Sequence, residues 1–187
     1  MIIGVTGYIG SGKGEFVDLL TKKYGFVPVT FKEVILREAQ KKGLQMDRTS
    51  LQELGRIMEK KGELATKVIS GIHFREGQQS EQNYIVECFR TEGQVNAFRE
   101  EFEKDFYLIG ITADFDKRWG RIRERERKGD PELLEDFRKA DNQDRNGAYQ
   151  NTDWCINHAD ELIKNNGEIW KFKKRVEEYM FSLGFDK

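Results

Sequence analysis

The chain has 187 residues and a formal net charge of −1, because 33 Asp and Glu side chains balance 32 Lys and Arg side chains. This balance argues against a generally basic nucleic-acid-binding protein, although a local basic patch stays compatible with it. A chain of this length forms one domain of ordinary size, and an aromatic content of 12% argues against disorder.

Two cysteines and two histidines limit the possible chemistry further. The cysteines form no C-x-x-C pair and no disulfide framework, and the histidines are too few and too far apart for a His-based metal site. No apolar run reaches the roughly 20 residues of a membrane span, and the N-terminal segment lacks the features of a signal peptide. We therefore expect a cytoplasmic protein with no membrane partner and no nucleic-acid partner.

Strand and helix patterns alternate along the chain. Apolar runs rich in β-branched residues predict five strands, at Ile2–Thr6, Phe26–Thr30, Tyr84–Phe89, Phe106–Thr112 and Glu161–Lys164. Helical spacing of apolar residues predicts helices at Lys13–Lys23, Lys32–Lys42, Glu63–Ile72, Gly93–Glu103 and Glu168–Leu183. This alternation predicts a three-layer α/β/α fold with a parallel five-stranded sheet.

Three further boundaries rest on capping and turn residues. A capping box at Thr49 or Ser50 predicts another helix that runs to about Lys61. Asp114 is predicted to cap a long basic helix that reaches about Lys128, with Pro131 in the first turn of the next helix. The polar segment Arg75–Asn83 predicts a surface loop.

The strongest chemical signal is the segment GYIGSGKG at residues 7–14, between the first strand and the first helix. Its glycines let backbone N–H groups turn toward phosphate oxygens, the helix N-terminus adds partial positive charge, and the lysine reaches the terminal phosphates. The strand and helix on either side argue against a glycine-rich turn without function. The residues expected at nucleotide phosphates are Gly7, Gly10, Ser11, Gly12, Lys13 and Gly14.

This loop resembles that of nucleoside monophosphate kinases, adenylate kinase included, in which GKG is followed by Thr. Here Glu15 takes the place of that Thr beside the nucleotide, and Gly14 stands where many such loops have the Ser or Thr that holds Mg²⁺. Nearly the whole chain resembles P-loop small-molecule kinases, above all archaeal and phage-type nucleotide kinases related to dephospho-CoA kinase. The resemblance implies a single P-loop NTPase domain, ATP and Mg²⁺ as cofactors, a helical acceptor-binding insertion at about residues 31–76, and a lid region at about residues 118–145.

The third strand ends in VECFR at residues 86–90, which resembles the family pattern V-D-G-I-R. The resemblance puts Glu87 at the acidic position, where a carboxylate holds Mg²⁺ through water or orients the acceptor. It puts Arg90 at the arginine that contacts the acceptor's phosphate through paired hydrogen bonds. An ion pair between Glu87 and Arg90 at the sheet edge is the structural alternative, but strand-end position favours function.

The predicted basic helix carries Arg118, Arg121 and Arg125 on one stripe at three- and four-residue spacing. Arg121 and Arg125 match the R-x-x-x-R pair that precedes the lid in the resembling kinases, which implies that they clamp the ATP phosphates and offset developing charge. A solvated, charge-paired helix is one alternative. A protein that binds nucleic acid through this helix is a weaker one.

Looser matches add two more site residues. Arg145 lies where relatives supply another phosphate contact, and Asn166 lies in the turn after the last strand, where the family's backbone lines the adenine. A strand-to-helix turn also explains the second position without any ligand.

The acceptor side departs from the family. Relatives often read D-V-I-R-E-E-A in the second helix and L-G-N-x-L-R near the middle of the chain. Leu36 and Met58 stand at the arginine positions of these patterns, whereas Arg37, Arg48 and Arg56 lie nearby. Arg48 fits a frequent family position, and we expect Arg37 and Arg48 to contact the acceptor.

These matches predict an enzyme that moves the γ-phosphoryl group of ATP to a nucleoside or deoxynucleoside monophosphate. Dephospho-CoA is an alternative acceptor, since the missing arginines fit an acceptor without a phosphate at its reacting hydroxyl. A non-catalytic nucleotide-binding or regulatory protein is the second alternative, which Glu15, Leu36 and Met58 favour.

Overall fold

The computed structural model describes residues 1–77, 82–125, 127, 129–147 and 149–186. Within these ranges, five strands form one parallel sheet in the order β2-β3-β1-β4-β5. The strands are β1 (Ile2–Gly7), β2 (Val27–Thr30), β3 (Tyr84–Glu87), β4 (Phe106–Thr112) and β5 (Glu161–Lys164). The predicted three-layer fold and its parallel sheet are confirmed, with β1 in the centre of the sheet.

Helices flank the sheet. Their bounds in the described ranges are α1 (Lys13–Tyr24), α2 (Phe31–Lys41), α3 (Arg48–Lys60), α4 (Glu63–Glu76), α5 (Glu92–Phe102), α6 (Phe115–Glu124), α7 (Leu134–Asn146), α8 (Thr152–Asn157) and α9 (Ile169–Ser182). None of them combines the length and the apolarity that crossing a bilayer requires.

Two apolar cores hold the layers together, one on each side of the sheet. On one side, α1 and α9 bury Phe16, Leu20, Phe172 and Val176 among apolar residues of β1, β3, β4 and β5. On the other side, α2, α3, α4, α5 and α8 contribute to a second cluster, whose aromatic centre is formed by Phe31, Phe89, Phe98 and Phe106. With both of its faces covered, the sheet offers ligands the edge at which its parallel strands end.

Two predicted helix starts are wrong. Asp47, not Thr49 or Ser50, caps α3: its carboxylate accepts the backbone N–H groups of both residues at 2.9 and 3.0 Å. Because Asp47 is the N-cap, the helix begins at Arg48, two residues earlier than a cap at Thr49 requires and three residues earlier than a cap at Ser50 requires. Helix α7 begins at Leu134, so Pro131 precedes the helix instead of lying in its first turn.

Two predicted helix ends are also wrong. Helix α6 ends at Glu124, and Lys128, where we expected its end, lies outside the described residues. Helix α4 continues to Glu76, into the segment 75–83 that was expected to be a loop, and residues 78–81 of that segment are not described.

Candidate active site

The glycine-rich loop lies at the carboxyl end of the central strand and leads directly into α1. Gly7, Gly10 and Gly12 have φ values of 150°, 78° and 104°, which residues other than glycine rarely adopt. Gly12 is the N-cap of α1, and no side chain in the described part of the chain caps that helix. The first N–H groups of α1 are thus left for an anion, with the partial positive charge of the helix behind them.

Asn165, which follows β5, holds the back of this loop. Its side chain is buried, and its Nδ2 donates a hydrogen bond of 2.9 Å to the carbonyl of Ser11. A Cβ on Gly12 would lie only 2.3 Å from that Nδ2. The neighbouring Asn166, predicted to lie where the backbone lines the adenine, accepts the backbone N–H of Asp114 with its Oδ1 at 2.8 Å, and its contact with a nucleotide stays a prediction. Two consecutive asparagines gave no indication of which one faces the loop.

Lys13 lies across the loop. Its Nζ donates to the carbonyls of Gly7 and Tyr8 at 2.6 and 2.9 Å, so that its charge stays beside the turn that would receive phosphates. Glu87, at the end of β3, is registered opposite Val5 of β1. Burial raises the pKa of the Glu87 carboxyl, and the positive charge of Lys13 partly opposes this rise. The predicted lysine and carboxylate are therefore electrostatically coupled.

The predicted arginine stripe separates into three different environments, of which Arg121 and Arg125 occupy two. Arg121 contacts the loop: its Nη1 lies 3.4 Å from the carbonyls of Gly10 and Ser11, and its Nη2 donates to the Asn165 carbonyl at 2.6 Å. Burial lowers the pKa of this guanidinium. Arg125 is more exposed and forms a two-pronged pair with Asp130, at 2.5 and 2.7 Å.

Arg118 occupies the third environment, in the interior. Only 2% of it is exposed, and its guanidinium makes two hydrogen bonds to Asp141, of 2.5 and 2.9 Å. It also donates to the carbonyls of Ile9 and Ala113, each at 3.0 Å. With all of its nitrogens engaged, Arg118 supports the loop from below instead of facing a ligand.

Arg145, expected at a phosphate, is held beside the loop as well. Its Nε lies 3.1 Å from Oδ1 of Asp153, and its guanidinium stacks 4.7 Å from the ring centre of Tyr8. The hydroxyl of Tyr8 donates to the same carboxylate at 2.7 Å, and burial together with Asp153 raises the pKa of Tyr8 to about 12. The sequence did not indicate this use of Tyr8, because the loop pattern allows any residue at its second position.

A cleft of about 900 Å³ opens beside the end of β3, between the sheet and the helices α2 and α3. The predicted residues Glu87, Arg90 and Arg48 line it, and so does Leu36. Arg37, predicted to contact the acceptor, does not: it lies one residue further along α2, roughly 100° around the helix, and is exposed. Arg37 therefore lies outside this cleft, and its contact with the acceptor stays a prediction.

Glu59 of α3 is a carboxylate within this cleft. It accepts hydrogen bonds from the hydroxyl of Thr91 and from Nε2 of Gln94, the latter at 2.7 Å. Counted from Leu54, the sixth position of the family pattern L-G-N-x-L-R is Glu59, so the arginine is replaced by a carboxylate. Met58, to which we had assigned that position, is one residue earlier and is buried.

Arg90 is fixed at both its backbone and its side chain. Its backbone N–H donates to Gln94 at 2.9 Å, and its Nη1 donates to Gln150 at 3.1 Å. The same Nη1 lies 3.1 Å from the buried Oδ1 of Asp144, at an angle outside hydrogen-bond geometry. Among the described residues, Asp144 and not Glu87 is therefore the carboxylate paired with Arg90, so the edge-of-sheet pair considered above does not form.

Metal-binding residues are sparse. In the described ranges, no three His, Cys, Asp or Glu side chains are grouped in a way that could hold a metal ion. Glu87 is a carboxylate close enough to Lys13 for the two charges to interact, and Gly14 offers no hydroxyl.

The AAA_18 family, described as an AAA domain, matches residues 3–144. The chain is 26% identical over 189 residues to a UPF0200 protein of Thermococcus sibiricus, covering 100% of this chain and 97% of that protein. It is 29% identical over 185 residues to a UPF0200 protein of Methanothermobacter thermautotrophicus, covering 98% and 90%.

Solved kinase structures share the fold. Shikimate kinase from Acinetobacter baumannii, in complex with shikimate, matches with a TM-score of 0.59 and 13% identity over 99% of this chain and 95% of that one. Dephospho-CoA kinase from Campylobacter jejuni matches with a TM-score of 0.58 and 14% identity over 97% and 96%. The chain thus shares the fold of these solved kinase structures.

Proposed function

Because the chain belongs to the AAA_18 family (AAA domain), we propose that it is an ATP-dependent phosphotransferase whose acceptor is a nucleoside or deoxynucleoside monophosphate. One observation carries the proposal. Glu87 lines the cleft of about 900 Å³, and its carboxyl is also close enough to Lys13 of the phosphate loop for the lysine charge to lower its pKa. A donor site and an acceptor site thereby meet at the carboxyl ends of two adjacent parallel strands, β1 and β3.

At the donor end, the loop amides and the N-terminus of α1 receive the phosphates of ATP. Lys13 exchanges its present contacts with the loop carbonyls for phosphate oxygens, because a phosphate is a stronger acceptor than a carbonyl. Arg121 keeps a cation beside Gly10 and Ser11. Arg125 reaches the nucleotide once its ion pair with the partly exposed Asp130 opens. Such an exchange of partners is expected of a residue in a lid, here formed by residues 118–145, that closes over the nucleotide.

The residues present fit Mg²⁺ held chiefly by the nucleotide. Mg²⁺ commonly takes one or two carboxylates together with phosphate oxygens and water, and Glu87 would supply one carboxylate through water. When bound, the ion neutralises phosphate charge. Glu87 contributes a half-buried anion beside Lys13, so its ionisation is the property on which this role depends.

At the acceptor end, Arg90 and Arg48 line the cleft and supply cations for the acceptor's phosphate. The hydrogen bonds of Gln94 and Gln150 hold Arg90 in place before an acceptor arrives. An oxygen of that phosphate forms the new bond to the γ-phosphorus, and the bond from the γ-phosphorus to the bridging oxygen breaks, which releases ADP. Positioning and charge stabilisation account for most catalysis of this kind, with little covalent work by the protein.

The decisive experiment is a transfer screen. Each ribo- and deoxynucleoside monophosphate, dephospho-CoA and shikimate is incubated with the protein, ATP and Mg²⁺, and ADP is separated by chromatography. We expect ADP with at least one monophosphate and its loss in Lys13→Ala. Lys22→Ala is the matched control, because Lys22 lies on the same helix, is exposed and pairs with Asp18.

The same screen decides between the acceptors. ADP only with dephospho-CoA or only with shikimate would replace the monophosphate by that acceptor. ATP binding without ADP from any acceptor would contradict transfer and favour a nucleotide-binding protein, for which Glu15 at the kinase Thr position is the motivating residue.

A further inference from the structure

Tyr149 and Gln150, which lie between α7 and α8, line the acceptor cleft. Gly147 and Gln150 form an isolated antiparallel bridge between the same two helices. The backbone N–H of Asn151 donates to the Arg90 carbonyl at 2.6 Å, and Gln150 accepts from the Arg90 side chain. These contacts hold Gln150 and Asn151 against Arg90, three residues after the end of β3, so that the side chain next to Gln150 has a defined place beside the cleft.

Tyr149 is that side chain, and it contacts Arg56 on the opposite wall. The guanidinium of Arg56 lies 4.7 Å from the ring centre of Tyr149 and donates to its hydroxyl at 2.8 Å. Glu53 accepts from Nε of Arg56 at 2.8 Å and also from its Nη2. With a carboxylate along one edge and a tyrosine at its face, Arg56 is neutralised locally and is not a free cation for a phosphate.

Tyr149 is 51% exposed although it lines the cleft. Phe74 is also an exposed aromatic, but it does not line the cleft. An aromatic ring with a guanidinium on one face and open space along a ligand cleft is suited to stack on another planar ring.

We propose that Tyr149, supported by Arg56, is the stacking platform for a planar nucleobase of the acceptor. This inference rests on the proposed function and adds to it that the base, and not only the phosphate, selects the acceptor. Among the described residues Arg48 pairs with no carboxylate, and it lines the same cleft. The cleft therefore offers a cation for phosphate and a separate aromatic surface for the base.

The test measures binding, so that it does not depend on transfer. Isothermal titration compares nucleoside monophosphates with ribose 5-phosphate, which has the sugar phosphate but no base. In Tyr149→Leu we expect monophosphate affinity to fall about tenfold, the order of one lost base–aromatic stack, with ribose 5-phosphate affinity unchanged. Tyr149→Phe keeps the ring and retains most of the affinity. Phe74→Leu is the control for loss of an exposed aromatic.

Three results would overturn the inference: equal affinity for monophosphates in Tyr149→Leu and wild type, an equal loss for ribose 5-phosphate, or no monophosphate binding by the wild type. The outcome is separate from that of the transfer screen. If Tyr149→Leu weakens binding of monophosphates but not of ribose 5-phosphate, and no ADP forms in the transfer screen, the stacking platform is supported and the proposed kinase activity is contradicted. ADP formation from a monophosphate with unchanged binding in Tyr149→Leu would do the reverse.

Discussion

Arg118 and Asp141 form a two-pronged ion pair that joins α6 to α7 directly beneath the phosphate loop. The side chains are 2% and 4% exposed, and the same guanidinium donates to the Ile9 carbonyl within the loop. A Cβ on Gly10 would lie 2.8 Å from the Arg118 carbonyl, which shows how closely helix and loop pack. The conformation of the loop is thus tied to the helices that we propose as the lid.

The first prediction concerns this pair. Asp141→Asn leaves the buried charge of Arg118 without a carboxylate, so the free energy of unfolding should fall by about 3–5 kcal/mol, the range for broken buried pairs. Urea denaturation measures this loss. Because Ile9 loses its fixed donor as well, ATP affinity should fall in those molecules that remain folded, and titration below the unfolding transition measures that affinity.

The control is the pair of Arg125 and Asp130 beyond the end of α6, in which Arg125 is 40% exposed. Asp130→Asn should cost less than about 1 kcal/mol, since solvent screens exposed pairs. Equal losses in the two variants would contradict the supporting role assigned to Arg118.

The second prediction concerns Gly12. In Gly12→Ala the new Cβ must displace the buried Asn165 side chain, and alanine must adopt a φ of 104°. We expect a stability loss of about 1–3 kcal/mol and much weaker ATP binding. Gly71→Ala is the matched control: Gly71 lies within α4 with no atom within 4 Å of its added Cβ, and alanine there should stabilise by about 0.5–1 kcal/mol. A fully stable Gly12→Ala that binds ATP normally would disprove the tight packing.

The third prediction concerns Glu87, whose pKa is raised by burial. Between the ordinary glutamate pKa and this raised value, the folded protein binds more protons than the unfolded chain. The contribution of Glu87 to stability is thus present at low pH and is lost as pH rises through the raised pKa. Glu87→Gln removes this dependence, so thermal unfolding at neutral pH should occur at a higher temperature than in the wild type.

The same substitution should lower activity, because glutamine cannot supply the anion that we propose beside the nucleotide. In the wild type, transfer should decline on acidification at a pH above the ordinary range of a glutamate. Glu92→Gln, an exposed change at the start of α5, is the control. A Glu87→Gln variant with full activity would exclude an essential carboxylate.

The sequence was sufficient for the sheet and the loop, because buried strands and a glycine-rich turn leave local patterns. It was insufficient where contacts join distant segments. The three arginines of the predicted stripe look equivalent by spacing, yet Arg118 is buried against Asp141 of another helix. Tyr149 and Arg56 are 93 positions apart and meet only in the folded chain. The residues around Arg37 resemble the family segment that carries an arginine, but its position on α2 leaves Arg37 exposed to solvent.

The last prediction separates the two asparagines after β5. Asn165→Ala removes the 2.9 Å hydrogen bond to the Ser11 carbonyl, which keeps only the 3.4 Å contact with Arg121, and removes one acceptor of the Arg121 guanidinium. Stability should fall by about 1–3 kcal/mol, the range for taking one partner from a buried polar group. ATP affinity should fall with it, because the loop and Arg121 both rely on this side chain. Asn166→Ala removes one exposed hydrogen bond to the backbone of Asp114 and should cost about 1 kcal/mol or less. Denaturation curves and ATP titrations of both variants decide between them: a larger loss of ATP affinity in Asn166→Ala would return the assignment to the residue that the sequence pattern favoured.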